Sequence, residues 1–188
     1  MGEIMNELLK ADFTKIISKH QKLNIKDFYA TRGEIISITG DNGVGKTTFL
    51  KTLLGLSSYN KGNIHYLSNI KISSALDLKQ LYEYLTGRQA LKMQQILDNA
   101  NSSKINNYIH IFQMDEYIDK KISTYSLGMK RRLLILNTLI VDADIYLLDE
   151  PTNGLSQNFL EILGELLNDI KNRNKTIIQD LIRQVTRK

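Results

Sequence analysis

Tyr125-Ser126-Leu127-Gly128-Met129-Lys130-Arg131 settles the architecture through its neighbours. Upstream lies Gly40-Asp41-Asn42-Gly43-Val44-Gly45-Lys46-Thr47, and downstream an apolar run ends in two carboxylates, Ile145-Tyr146-Leu147-Leu148-Asp149-Glu150. The glycine loop follows Glu34–Thr39, a β-branched run that reads as a strand. After it, Leu50, Leu53 and Leu54 recur at helical spacing, so Lys46 opens a helix that Gly55 can stop. Strand, glycine loop and helix are the context a phosphate-binding loop requires. Asn42, Gly43, Val44 and Gly45 then offer successive backbone N–H groups to β- and γ-phosphates, and the helix turns its positive end toward them. Lys46 supplies a point charge, Thr47 a hydroxyl ligand for Mg²⁺, and Thr48 a contact to a phosphate oxygen.

Asp149 ends a buried strand, where a carboxylate is costly unless a cation meets it, and Mg²⁺ is the natural partner. Glu150 beside it is the candidate general base, or the group that orients the attacking water. Pro151, the single proline of the chain, follows the acids and fixes the turn. Ser126 and Gly128 read in two ways. Ser126 is a plain helix N-cap, or its hydroxyl, the Gly128 N–H and the helix end meet the γ-phosphate of ATP held by a second subunit. The order of the three motifs favours the second reading.

Elsewhere, Asn60-Lys61-Gly62-Asn63 is a turn leading into a β segment at Ile64–Leu67. Gln80 to Asn107 reads as a mostly helical insertion, and Met129 to Val141 as a helix apolar on most sides and hence buried. Asp144 to Leu148 is a buried strand, and Phe159, Leu163, Leu166 and Ile170 mark one face of an amphipathic helix. Thr176-Ile177-Ile178 is a short last strand, and Leu181 to Lys188 a helix or tail. Strands alternating with helices predict an α/β fold with a mainly parallel sheet.

The 188 residues, 42% hydrophobic and 24% charged, suit one globular domain. No apolar run is long enough to span a membrane. Acids near the N-terminus argue against a signal peptide, and Asn6 breaks the myristoylation pattern. The chain has no cysteine, which removes disulfides and thiolate metal sites and fits the cytosol. The formal charge of +5 reads as a mildly basic solvated surface. Lys171, Arg173, Lys175, Arg183, Arg187 and Lys188, set against Asp180 alone, also suit an anionic membrane face. No basic stretch interleaves with stacking aromatics, so nucleic acid is not an expected partner.

These motifs together resemble the ATP-binding cassette (ABC) ATPases over about residues 10 to 180. Tyr125–Leu133 is similar to the form found in ATPases of drug and peptide-antibiotic exporters, Leu81–Arg88 to a segment of bacitracin- and lantibiotic-type exporters and immunity systems, and Asp149–Leu155 to the Walker B motif and D-loop. The resemblance implies a P-loop NTPase cassette of one domain. Its RecA-like core would occupy about 1–76 and 140–188, with an antiparallel β part, and its helical subdomain about 77–139. It implies an Mg²⁺-dependent ATPase with ATP between the P-loop of one cassette and Ser126 and Gly128 of another, as a homo- or heterodimer. It implies a separate transmembrane permease subunit, a place on the cytoplasmic face of the cell membrane, and export of, or immunity to, a peptide or drug-like substrate.

Four positions depart from that pattern. The D-loop aspartate is Ser156. The Q-loop glutamine, a metal contact, falls at Asp77 or, as a rival, Gln80. The adenine-stacking aromatic falls at Ile16 or Ile17. The switch histidine after the last core strand is missing, with Gln179 or Asp180 nearest its place. His20, His65 and His110 lie far from it and read as surface or core residues. A lost acid/base or orienting group costs about 10²–10⁴-fold in rate without touching affinity. The alternative expectation is therefore a weakly hydrolytic regulatory cassette that pairs with a competent partner. The chain also ends early for the family, so a shortened or minimal cassette is expected.

Overall fold

A computed structural model describes residues 6–98 and 105–182. In chain order the elements are β1 (Glu7–Ser18), β2 (Gln21–Thr31), β3 (Ile35–Gly40), α1 (Lys46–Leu53), β4 (Lys61–Tyr66), β5 (Ile72–Ala75), α2 (Gly87–Asp98), α3 (Ile105–Ile111), α4 (Leu127–Leu139), β6 (Ile145–Leu148), α5 (Gln157–Asn172) and β7 (Thr176–Ile182). They form an α/β cassette with two sheets. One is antiparallel, in the order β2-β1-β4; the other is parallel, in the order β3-β7-β6-β5.

The parallel sheet is covered on both faces, and its strands divide their side chains by the period of two. Tyr146, Leu148 and Ile177 enter one apolar cluster with α4, α5 and the helical segment. Ile145, Leu147 and Ile178 enter another with α1 and the antiparallel sheet. The first cluster runs without a break from Leu91, Ile109 and Phe112 to Phe159 and Leu163. The helical segment therefore shares one core with the sheet. In that cluster Phe112 meets Phe159 edge-on at 5.4 Å, and the Arg132 guanidinium lies 4.3 Å from the centre of the Phe159 ring.

The structure departs from the sequence reading in several places. The long β1–β2 hairpin and β5 were not expected as strands. Their exposed faces carry Lys10, Asp12, Lys22 and Lys26, and β5 holds Ser73 and Ser74, so neither is apolar enough to stand out. Gly62 lets β4 approach: its φ is +101°, and a Cβ there would lie 2.1 Å from the Asp12 carbonyl oxygen. The expected helical insertion is interrupted. A 3₁₀ turn spans Leu78–Gln80, non-helical chain follows to Thr86, and only then does α2 begin; residues 99–104 lie outside the described chain. On α5 the buried stripe is Phe159, Leu163, Leu167 and Ile170, so Leu167 replaces the expected Leu166, which is half-buried. β7 does not stop at Ile178 but continues to Ile182, paired with β3 throughout. The rest of the expected C-terminal helix or tail, with Arg183, Arg187 and Lys188, lies outside the described residues.

Candidate functional site

The glycine loop joins β3 to α1 at the C-terminal edge of the parallel sheet. Gly43 (φ +82°) and Gly45 (φ +113°) take conformations that favour glycine, and Gly45 is the N-cap of α1 with no side-chain cap bond. The first N–H groups of α1 are thus left to an external acceptor. Asn42, Gly43 and Val44 are exposed, as a binding loop must be. The hairpin tip reaches over this loop. Gln21 Nε2 donates to the Gly43 carbonyl, and a Cβ on Gly45 would lie 3.0 Å from Ile17 Cδ1. Ile17, rather than the 59%-exposed Ile16, is therefore the residue of β1 that faces the loop.

Lys46 folds back under the loop and is buried. Its Nζ donates to the carbonyls of Gly40 at 2.8 Å and Asp41 at 3.1 Å, and lies 3.7 Å from Asp180 Oδ1. Thr47 lies beside the Asp149 carboxylate and opposes the rise of its pKa. Thr48, half-buried, gives its carbonyl to the Thr52 hydroxyl at 2.7 Å.

Asp149 follows β6 directly and is buried, with its N–H held by Ala75 O at 3.0 Å. Arg131 of α4 donates through Nη1 to the Asp149 carbonyl at 3.2 Å. Leu148 is paired with Gln179, so the next residues, Asp149 and Asp180, sit side by side at the sheet edge. Burial pushes both carboxyls above the ordinary range, and each is raised further by acids around it: Asp149 by Glu150, Asp180 by Asp149 and Glu150. Thr47 and Asp180 hydrogen bonds oppose the rise at Asp149; the Lys46 charge opposes it at Asp180, which is pushed up to about 6. Asp149 Oδ1 and Asp180 Oδ1 are buried without a hydrogen-bond donor among the described residues. An orphaned buried carboxylate oxygen beside a threonine hydroxyl is a donor set that fits a hard divalent cation. The loop N–H groups and Lys46 fit a polyphosphate.

Glu150 is half-buried at φ +47°, an uncommon backbone for a non-glycine residue. Asn153 holds it, donating through Nδ2 to Glu150 Oε2 at 3.1 Å. Ser126 is exposed and caps α4: its Oγ accepts from Met129 N at 3.2 Å. A Cβ on Gly128 would lie 2.9 Å from Gly154 O, so the start of α4 rests on the turn after the acids. Asp77 caps the 3₁₀ turn by accepting from Lys79 N at 2.9 Å, while Gln80 Oε1 accepts from Leu76 N and Asp77 N. That turn follows β5, whose Ala75 holds Asp149. Gln179 points to the other face of β7 and donates to Ser37 Oγ at 3.2 Å. His20, His65 and His110 are exposed.

The structure brings together Lys46, Thr47, Asp149 and Glu150. It adds Gln21, Arg131 and the placement of Asp180, which no local pattern announces because each contact crosses the fold. Among the described residues no helix is long and apolar enough to cross a membrane.

A protein-family profile described as "ABC transporter" matches residues 23–153. The chain is 30% identical over 186 residues to the bacitracin transport ATP-binding protein BcrA of Bacillus licheniformis, covering 92% of this chain and 61% of that one. It is 29% identical over 171 residues to the lantibiotic transport ATP-binding protein SrtF of Streptococcus pyogenes, covering 87% and 75%. Several curated relatives are longer: the chain spans 50%, 66% and 61% of the length of three of them. A solved structure titled "Structure of ATP binding subunit of ABC transporter" superposes with a TM-score of 0.78 at 22% identity, covering 95% of this chain and 81% of the other. With the fold, the loop and the acids in agreement, the chain belongs to the ABC transporter family, as a nucleotide-binding cassette.

Proposed function

We propose that this chain binds and hydrolyses ATP as the energy-supplying subunit of a transporter that exports, or gives immunity to, a peptide or drug-like compound. The observation that carries the reading is the meeting of Lys46, Thr47 and Asp149 at one sheet edge beneath a loop whose helix has no cap of its own. The N–H groups of Asn42 to Thr48 and the Lys46 ammonium bind the phosphates. Thr47 and Asp149 hold Mg²⁺, with Asp77 as a further contact at the end of β5. When bound, the cation neutralises charge on the phosphate oxygens. Glu150, held by Asn153, orients water and accepts its proton. Ser126 and Gly128 serve the phosphate of a second cassette, and a separate transmembrane permease subunit docks the pair at the cytoplasmic face of the membrane. The transport role rests on the relatives' names, bacitracin and lantibiotic transport ATP-binding proteins.

A second reading, a weakly hydrolytic regulatory cassette, is favoured by one feature: β7 carries Gln179 and Asp180 and no histidine. Phosphate release by the purified protein, with and without Mg²⁺, separates the two. Turnover that Glu150→Gln abolishes supports the working ATPase. ATP binding without turnover, alone and with a partner cassette, supports the regulatory one. Unchanged nucleotide affinity in Lys46→Ala would sink the loop assignment, and Glu150→Gln that stays monomeric in gel filtration with Mg-ATP would count against a homodimeric sandwich.

A further inference from the structure

The Lys46 ammonium has three protons to give. The Gly40 and Asp41 carbonyls take two, at 2.8 and 3.1 Å, and the remaining direction faces Asp180 Oδ1 at 3.7 Å. The ion pair is shut off from water, with side-chain exposures of 6% for Lys46 and 2% for Asp180, so salt and solvent screen it little. Asp180 cannot swing away easily. It is a strand residue, with β3 on one side, where its register partner is Ile38, and the end of β6 on the other. Its neighbour Asp149 carries the same charge, so the only cation of the described residues within salt-bridge distance of Asp180 is Lys46.

A phosphate that takes the Lys46 ammonium must therefore take it from Asp180, and the carboxylate then stays buried close to a polyanion. Both effects weaken binding, and both are largest for a polyphosphate that carries no cation. We propose that Asp180 is an internal competitor for Lys46, which lowers the affinity of the loop for free polyphosphates and makes nucleotide capture depend on a divalent cation. This makes Asp180 a positioning residue that acts through Lys46, and it rests on the ATP-binding reading above.

The test is the affinity for ATP, by calorimetry, of the wild type and of Asp180→Asn, each in EDTA and in Mg²⁺. The wild type is expected to bind at least about tenfold more weakly in EDTA than in Mg²⁺. Asp180→Asn is expected to recover about tenfold in EDTA and to gain less than about threefold in Mg²⁺. A purely structural role would weaken binding or leave it alone, so the gain is the distinguishing sign. Asp180→Ser, which cannot mimic the carboxylate, should move the same way. Equal wild-type affinities in EDTA and Mg²⁺ overturn the proposal without any variant, as do folded variants with unchanged or weaker binding in EDTA. In those cases the ATP-binding reading stands. A wild type that binds no ATP in Mg²⁺ overturns both together.

Discussion

Asp180→Asn should change how stability depends on pH, and the sign follows from the direction of the shift. A carboxyl ordinarily near 3.8 is pushed to about 6 in the folded chain by burial and by Asp149 and Glu150. Below 3.8 it is protonated in both states and contributes nothing. Between 3.8 and about 6 the unfolded chain has released the proton and the folded chain keeps it, so stability falls as pH rises. Above 6 the full cost is in place, about 3 kcal/mol. That figure is an upper one, because Asp149 and Asp180 ionise as a pair. Asparagine mimics the protonated form at every pH, so it lacks this loss. Groups outside the Asp149–Asp180 pair titrate alike in both proteins and cancel in the difference. Urea unfolding at pH 4.5, 6 and 7.5 should show the variant gaining on the wild type with rising pH by up to about 3 kcal/mol, or about 6–12 °C in Tm for a chain of this size. Whatever constant cost the unpaired Lys46 imposes shifts the difference without tilting it. Parallel curves would refute the reasoning, and a variant that loses ground as pH rises would reverse it.

Phe159→Ala should cost about 3–5 kcal/mol in urea unfolding, since it empties a fully buried site between Phe112 and Arg132; a loss under about 1 kcal/mol would show that the cluster closes around the gap. Gly128→Ala should cost about 1–3 kcal/mol, because its Cβ would press on Gly154 O at 2.9 Å; an unchanged melting temperature would mean that the turn after the acids yields freely. Tyr125→Phe should cost about 1–2 kcal/mol by removing the bond from Tyr125 Oη to the Tyr117 carbonyl at 2.7 Å. Its phenol is pushed up to about 12 by burial, so ultraviolet titration should find a tyrosine missing from the wave near 10.

The elements that were legible from sequence are those whose local pattern has a single physical meaning. A glycine loop between a β-branched run and a leucine-spaced helix admits few other conformations, and Leu133 to Leu136, apolar in succession, are all buried on α4. The β1–β2 hairpin was hidden because its water-facing positions carry Lys10, Asp12, Lys22 and Lys26 among other polar residues, and its turn at Lys19 and His20 holds no glycine or proline. Leu166 and Leu167 are equivalent to any count of apolar residues; only the angle of α5 on the sheet decides that Leu167 goes in. Ile177 and Ile178 announced β7, but Gln179 and Asp180 read as the end of it, since a charge inside a strand has no local justification. That justification is Lys46, far away in sequence and set beside Asp180 by the order of the strands.

Strand order also explains why position 180 matters at all. In the order β3-β7-β6-β5, β7 is the strand that touches both the strand leading into the glycine loop and the strand that Asp149 follows. A residue at the edge of β7 is thus a neighbour of the loop lysine on one side and the acid on the other. Which residue gains that place is decided by the period of two: Gln179 faces Ser37, and Asp180 faces Lys46. Ending β7 at Ile178, four residues earlier, would have left that place to loop chain, free to move with a ligand. Continued to Ile182 and paired with β3, the strand fixes a buried carboxylate between the two groups on which phosphate and metal binding depend. Strand order and the period of two, rather than any local sequence signal, therefore put a charge at this edge.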